Sequence, residues 1–394
     1  MSSYKQVVIL LGAKLIGIDC VLPFAMQLKS EQPELAIHFV FLSAKDIPSV
    51  RQNYVLWNGL HSVGKVSVLS SLHSGFAGRL LAASRLLVLL LLLLRRPTVF
   101  FAYADLACFP LNWMVAACRA GKGLAVVHAK AIYPFSDALR AEQCQKTDGR
   151  DMEFRDSGDR FVLWHPKQLI DYLPFSRAPA TILGTPRIYP AWLEYLASLE
   201  ARDGIQDENG QRVNIGESQP VMAVFYTGWV VIPSLEVPAE QQFRLFFDAV
   251  RDECPQAKIL IKPHPISNME KMKEQLSEFA DLDITITYAH PQIVISKATL
   301  CVFGNGSSVF DDVYAAGMAA LEIAIYRPHY KNTGLFDNPG RLSAETRDEM
   351  RDALRRWIHQ PQTLPEPAQG HLLYPKPINL LQALIDGPSV RGQG

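Results

Sequence analysis

Short apolar runs alternate with longer segments of mixed polarity along most of the chain. The runs contain Val, Ile, Leu and Phe without regular polar positions, as in Gln6–Leu11, Thr98–Tyr103 and Ala257–Ile261. Such runs are typical of strands in a parallel sheet that is covered by helices on both faces. The segments between them have the length and periodicity of helices, as in Asp19–Gln32 and Ala239–Cys254. The pattern therefore predicts a repeated strand–helix unit and an α/β fold.

The alternation is interrupted by one polar stretch between Arg202 and Gln219, which contains glycine and shows no periodicity. A stretch of this composition indicates a linker, and a length of 394 residues favours two domains. We therefore expect two Rossmann-like, doubly wound domains that face a cleft. The expected boundaries are residues 1–201 for the first domain, 202–219 for the linker, 220–370 for the second domain, and 371–394 for a tail that could cross back.

Composition and charge exclude several classes of protein. The 39 basic and 39 acidic residues cancel, so no overall electric field favours nucleic acid. The six scattered cysteines form no Cys-x-x-Cys pair, which is typical of buried thiols in a cytosolic protein. The first predicted strand begins almost at the N-terminus, and no signal peptide is visible. Because the sequence has no Gly-x-Gly-x-x-Gly motif, no P-loop and no metal-ligand spacing, we expect neither a cofactor nor a metal.

A leucine-rich run, Leu86–Leu94, is flanked by arginines at Arg79, Arg85 and Arg95. The uninterrupted run is shorter than the about 20 residues needed to cross a bilayer. Two interpretations remain open. One is a buried helix of a Rossmann-like layer, and the other is a helix that lies on a membrane surface through residues 79–96, with its arginines on anionic headgroups.

Two predicted strands end in residues that suit a phosphate. Ala257–Ile261 leads into Lys-Pro-His-Pro, and Thr299–Phe303 leads into Gly-Asn-Gly-Ser-Ser followed by a predicted helix. Ligands of parallel α/β sheets collect outside the carboxyl ends of the strands. A cation, an imidazole, hydroxyl groups and a helix N-terminus can together hold an anion there. The candidate ligands are Lys262, His264, Gly306, Ser307 and Ser308.

These motifs resemble the C-terminal domain of two-domain GT-B transferases that build bacterial surface polymers. The strand–Lys-Pro-His-Pro and strand–Ser-Ser-Val-Phe-Asp segments are similar to those of CDP-glycerol glycerophosphotransferases and of capsule glycosyltransferases that use CMP-sugars. Gly184–Arg187 resembles the Gly-x-Pro-Arg turn of the first family, and Val127–Lys130 is a weaker match to its Trp-His-Gly segment. The resemblance covers roughly residues 124–326.

The resemblance implies a donor-binding C-terminal half and an acceptor-binding N-terminal half. Lys262 and His264 would bind the donor phosphate or the departing oxygen, with help from Ser307 and Ser308. Arg187 is a candidate phosphate clamp, and Thr227, after the first strand of the second half, is a candidate nucleotide contact. For the catalytic base, His128 is the first choice, and Asp19 and Asp105 are alternatives.

We therefore expect a metal-independent glycosyltransferase of surface polysaccharide synthesis that uses a CMP- or CDP-linked donor and a glycan or lipid-linked acceptor. The expected location is the cytoplasm or the inner face of the cytoplasmic membrane. Three alternatives remain open: transfer of glycerol phosphate from CDP-glycerol, a non-hydrolysing nucleotide-sugar epimerase, and a non-catalytic partner bound to the membrane.

Overall fold

The computed structural model describes residues 4–12, 15–70, 75–103, 109–128, 158–164, 179–228, 232, 234–265, 267–305, 307, 309–328, 341–361 and 379–386. Within these ranges a few side chains lie outside the description, among them those of His128 and Asp311. Contacts within the chain divide it into two compact units, with a boundary between Tyr195 and Leu196. The C-terminal helix belongs to the first unit.

The first unit is built on a seven-stranded parallel sheet with the order β3-β2-β1-β4-β5-β6-β7. The chain runs outward from β1 to β3 and then returns to place β4 beside β1. The direction of winding therefore reverses between β1 and β4. The strands are β1 (Gln6–Leu11), β2 (Ala36–Ser43), β3 (Lys65–Ser70), β4 (Thr98–Tyr103), β5 (Leu124–His128), β6 (Arg160–Leu163) and β7 (Ala180–Ile182).

Helices lie between the successive strands from β1 to β5, and every residue of the interior strand β1 is buried. Complete burial of β1 explains why its sequence is a continuous apolar run. The helices are α1 (Leu15–Glu31), α2 (Ile47–Gln52), α3 (Tyr54–Val63), α4 (Phe76–Arg95), α5 (Phe109–Ala120) and α6 (Pro190–Asp203), which crosses the unit boundary, together with the C-terminal helix α12 (Leu380–Asp386).

The helices α2 and α3 were not predicted from the hydrophobic pattern. They are short, and Asn53 separates them by accepting a hydrogen bond from the backbone N–H of Leu56 at 3.2 Å. This is an N-cap, which satisfies one of the free donors at the start of α3. The first helix also begins earlier than predicted, at Leu15, so Asp19 lies inside α1 rather than at its start.

The second unit contains a six-stranded parallel sheet with the order β10-β9-β8-β11-β12-β13. Here the winding reverses between β8 and β11. The strands are β8 (Val221–Tyr226), β9 (Lys258–Pro263), β10 (Asp283–Ile286), β11 (Leu300–Phe303), β12 (Ala319–Glu322) and β13 (Arg341–Ser343). The helices are α7 (Ala239–Glu253), α8 (Met269–Ser277), α9 (Pro291–Ile295), α10 (Phe310–Ala315) and α11 (Arg347–His359).

One strand of this unit leaves no signal in the sequence, and a local motif fixes the start of one helix. The edge strand β13 is only three residues long and was missed, because so short a segment carries no detectable periodicity. The helix α11 begins at Arg347, because Thr346 and Glu349 form a capping box that fixes its start. The two doubly wound parallel sheets agree with the predicted α/β fold class.

Candidate functional site

The carboxyl ends of three neighbouring strands in the second sheet lie in register. Lys262 of β9 is paired with Phe225 of β8, and Phe225 is paired with Phe303 of β11. Neighbouring strands are about 4.8 Å apart, so the turns after β9 and β11 are separated by roughly 10 Å. The winding of the sheet reverses between β8 and β11, and ligands of doubly wound sheets bind outside such a reversal. The two predicted phosphate-binding segments therefore share one edge of one sheet.

The turn that follows β9 is fastened to the end of β8. The backbone N–H of His264 donates to the carbonyl of Tyr226 at 2.8 Å, and the hydroxyl of Ser267 donates to the same carbonyl at 3.3 Å. The turn closes with a hydrogen bond from the N–H of Ser267 to the carbonyl of His264 at 2.9 Å. Pro265 holds the second position of this turn, where its fixed φ is favourable. The backbone of His264 is thus fixed, while its side chain remains exposed.

The lysine of this motif lies inside the strand rather than in the turn, because β9 extends to Pro263. Lys262 is half-buried, and its Nζ lies 5.8 Å from the centroid of the Tyr288 ring. This geometry is a cation–π interaction. Thr227, which follows β8, is buried at the same edge. One cation and one hydroxyl group therefore accompany the imidazole of His264.

The pKa of His264 is lowered from its ordinary value, first by the partial removal of the imidazole from water and second by the positive charge of Lys262. Both effects disfavour the imidazolium form. The neutral form of the ring, with one N–H donor and one nitrogen that accepts, is therefore favoured. A neutral imidazole can donate a hydrogen bond to a substrate oxygen, and it can transfer a proton to that oxygen only after it has itself been protonated.

The turn after β11 contains Ser307, whose Oγ accepts a hydrogen bond from the N–H of Val309 at 3.2 Å. The helix α10 begins at Phe310, later than the predicted start at Ser308, and contains six residues. Phe310 is fully buried and its ring centroid lies 4.1 Å from that of Phe303, which anchors the start of the helix to β11. Gly306 and Ser308 lie outside the described residues, and their roles stay predictions.

Close packing shows why a glycine follows β11. A Cβ atom on Gly304 would lie 2.6 Å from Cε2 of Phe243, a fully buried ring of α7. Phe243 stacks on Tyr226 with ring centroids 4.4 Å apart. The Tyr226 hydroxyl donates to Oε1 of Gln275 at 2.6 Å. The backbone after β11 can therefore approach the end of β8 only because residue 304 has no side chain.

In the first unit, two predicted site residues contact each other. Nη1 of Arg187 lies 3.6 Å from Oδ2 of Asp19, and the Arg187 side chain is 1% exposed. The guanidinium also lies 5.9 Å from the centroid of the Trp164 ring. In this structure Arg187 is part of the interior and its charge is compensated by Asp19. The roles of Arg187 as a phosphate clamp and of Asp19 as a base stay predictions.

The remaining base candidates end strands of the first sheet or follow them. His128 is the last residue of β5, paired with Tyr103 of β4 and Val162 of β6. Its backbone therefore lies at the carboxyl edge of that sheet, where the prediction placed it, and its side chain is outside the description. Asp105 also lies outside the described residues. The structure does not test either residue as the base.

No protein-family model matches the sequence, and no curated protein matches it. Solved structures match over most of the chain. A protein from Listeria monocytogenes described as a UDP-N-acetylglucosamine 2-epimerase is 9% identical over 93% of this chain and 92% of its own, with a TM-score of 0.54. Staphylococcus aureus MnaA in complex with UDP is 11% identical over 91% of this chain and 90% of its own, with a TM-score of 0.52.

A plant protein matches to a similar extent. Arabidopsis thaliana UGT89C1, in complex with UDP-L-rhamnose, is 12% identical over 91% of both chains, with a TM-score of 0.51. At these identities the likeness shows the fold. The predicted fold class, two Rossmann-like doubly wound domains of the GT-B kind, is confirmed.

Sequence reasoning missed two residues at the carboxyl edge of the second sheet. Tyr288 follows the edge strand β10 and provides the ring beneath Lys262. Ser267 provides the hydroxyl that fastens the His264 turn to β8. A signal existed for Tyr288, because it is an aromatic residue just beyond a strand end. None existed for Ser267, whose role depends on a contact with a strand distant in the sequence.

Proposed function

We propose that this protein is a glycosyltransferase that transfers a sugar from a nucleotide-activated donor, with the donor phosphates bound at the carboxyl edge of the second sheet. One observation carries the proposal. Lys262, Thr227 and the turn containing Ser307 end or follow three strands in register, at the reversal of a doubly wound sheet. The fold is shared with structures that hold UDP or UDP-L-rhamnose, which supports a nucleotide-sugar donor for this chain.

The chemistry of transfer requires stabilisation of a departing phosphate. In our proposal Lys262 supplies a positive charge, and Thr227 and Ser307 supply hydroxyl groups. The Ser307 hydroxyl also accepts the hydrogen bond that fixes its own turn. His264 donates a hydrogen bond or a proton to the oxygen that leaves with the nucleotide. These groups would stabilise the developing charge without a metal, and metal independence remains a prediction from the sequence.

The nature of the nucleotide and the polymer rests on the motif resemblance. We propose a CMP- or CDP-linked donor and an acceptor that belongs to a surface polysaccharide or its lipid carrier. Within the same reaction class, CDP-glycerol is the alternative donor. His128 would serve as the base that activates the acceptor hydroxyl, with Asp19 as the alternative.

A thermal-shift experiment with CMP, CDP, UDP and GDP tests the donor assignment. We expect a cytidine nucleotide at a hundredfold excess over its Kd to stabilise the protein by about 2.7 kcal/mol, since binding to the native state raises stability by mass action. Replacing Lys262 with alanine is expected to remove most of the shift. Lys297→Ala is the matched control, because Lys297 is an exposed lysine paired with Glu200 that precedes β11, at the opposite edge of the same sheet, and it should leave the shift unchanged.

Stabilisation by UDP alone would contradict the cytidine preference and leave the nucleotide site intact. A protein that none of the four nucleotides stabilises would contradict the donor site itself. A shift that Lys262→Ala and Lys297→Ala reduce equally would place the nucleotide elsewhere.

An epimerase is the second candidate, because a structure described as a UDP-N-acetylglucosamine 2-epimerase matches this chain over 93% of its length. The two activities differ in their need for an acceptor. The protein is incubated without acceptor, with a sugar linked to the nucleotide that gives the largest thermal shift. The sugar configuration is expected to stay unchanged, as followed by chromatography or NMR. Formation of an epimer without acceptor would replace the transferase assignment with the epimerase.

A further inference from the structure

One side of α4 is an apolar surface exposed to solvent. Of its 20 residues, Gly78, Leu89 and Leu93 are buried. On the outward side Leu87 is 58% exposed and Val88 is 65% exposed. Soluble proteins rarely leave a continuous apolar patch uncovered without a function. We call this surface the leucine face, and its members are Phe76, Leu80, Leu81, Leu87, Val88, Leu91 and Leu94.

By length and composition α4 could cross a membrane, with a mean hydropathy of 2.1 over its most apolar window. The position of α4 in the first unit argues against a membrane-spanning role. The helix connects β3 to β4 within one parallel sheet, and its inner side packs against α5 and β3. Nη1 of Arg85 also donates to the carbonyl of Val68 in β3 at 3.1 Å. The helix could leave the sheet only by breaking these contacts. A binding partner would therefore contact the exposed leucine face while α4 stays packed in the first unit.

The charged residues of α4 and its immediate flanks are all positive. The helix and its flanks carry Arg79, Arg85, Arg95 and Arg96, and residues 75–98 contain no aspartate or glutamate. The neighbouring helix α5 also lacks acidic residues, and its Trp113 is 54% exposed. Aliphatic side chains beside arginine and tryptophan are typical of helices that lie in the boundary between lipid headgroups and acyl chains.

We propose that the leucine face docks on an anionic bilayer, with its leucines among the acyl chains and its arginines on the headgroup phosphates. Two copies of this chain joined through a symmetric contact would bring the same arginines towards each other, and like charges at an interface are unfavourable. A lipid surface with negative headgroups complements them. The surface belongs to the first unit and does not depend on the proposed reaction.

Vesicle co-sedimentation of the full chain tests the docking. We expect the protein to sediment with vesicles of equal parts phosphatidylcholine and phosphatidylglycerol, and much less with phosphatidylcholine alone. The double variant Leu87→Gln, Leu91→Gln is expected to lower the affinity for the mixed vesicles by about tenfold or more, because two apolar side chains leave the acyl region. Raising the salt concentration should weaken binding of the wild type, since exposed charges are screened.

Leu193→Gln is the matched control, because Leu193 is an exposed leucine of the same unit, 41% exposed, and lies outside the leucine face. It should bind as the wild type does. Equal melting temperatures for the wild type and both variants would show that the fold is retained. A wild type that binds neither vesicle, or a double variant that binds as tightly as the wild type, overturns the proposal. If the wild type is a dimer that binds no vesicles, and the double variant is a monomer, the leucine face instead contacts a second copy of this chain.

Discussion

Replacing His264 with alanine is expected to lower donor turnover by about 10²–10⁴-fold, the range usual for loss of a general acid or base. The substitution should leave the fold intact. The contacts that fix the turn are made by the backbone N–H and carbonyl of His264, which alanine keeps. The side chain is exposed, and surface substitutions usually change the free energy of unfolding by about 0.5 kcal/mol or less.

The measurement is release of nucleotide from the stabilising nucleotide sugar in the presence of membranes that carry the acceptor. His359→Ala is the matched control, because His359 is an exposed histidine in the last turn of α11 and is expected to have no effect. Turnover within a few-fold of wild type in His264→Ala would remove His264 from the reaction. If Lys262→Ala also had no effect, the reaction site would lie away from the carboxyl edge of the second sheet, whereas a wild type without turnover would favour the non-catalytic alternative.

The pH dependence of donor binding gives a second measurement on the same residue. The pKa of His264 is lowered in the free protein, first by protein atoms that partly desolvate the exposed ring and second by Lys262, and the negative charge of a bound phosphate would raise it. Donor binding is therefore accompanied by proton uptake, and affinity should increase as the pH falls from above 7 towards the pKa of the free protein. A nucleotide sugar is the suitable ligand, because its phosphates have no second ionisation in this range. His264→Ala should remove this slope, and an unchanged slope would mean that another group takes up the proton.

The strand ends could be predicted from the sequence because strands covered on both faces are continuous apolar runs. This is why the sequence alone places Lys262, His264 and Ser307 at the edge of a sheet. The register of β9, β8 and β11 could not be predicted, since a strand order that places β8 between β9 and β11 leaves no signal in a single sequence. The sequence also does not predict which side of α4 packs against the sheet, because a helix with apolar residues on most of its surface does not indicate which side is covered.

Burial of Arg187 was the feature that sequence reasoning could least foresee. In the sequence it follows a strand in a Gly-Thr-Pro-Arg turn, which is compatible with an exposed clamp. Its environment is decided by tertiary contacts with Asp19 and Trp164, which are far away along the chain. A charged residue is seldom fully buried without a partner, and here the partner is Asp19, which the sequence offers as a separate candidate for the catalytic base.

Replacing Arg187 with methionine is expected to lower the free energy of unfolding by roughly 3–5 kcal/mol, because the Asp19 carboxylate would remain in the interior without its counter-charge. Urea denaturation of the full chain measures the change. The double variant Asp19→Asn, Arg187→Met should recover part of the loss, since it removes both charges together, and this non-additivity isolates the interaction between the two residues.

The matched control is Arg244→Ala, which breaks the ion pair between Arg244 and Glu278. That pair is closer, with an N–O distance of 2.5 Å, yet its side chains are 54% and 49% exposed. Exposed pairs contribute about 0–1 kcal/mol, so burial rather than distance should decide which substitution is costly. If Arg187→Met unfolds like the wild type but loses the nucleotide-induced thermal shift, Arg187 is a phosphate ligand in solution. If it is destabilised while its folded form binds nucleotide normally, the arginine serves the core of the first unit.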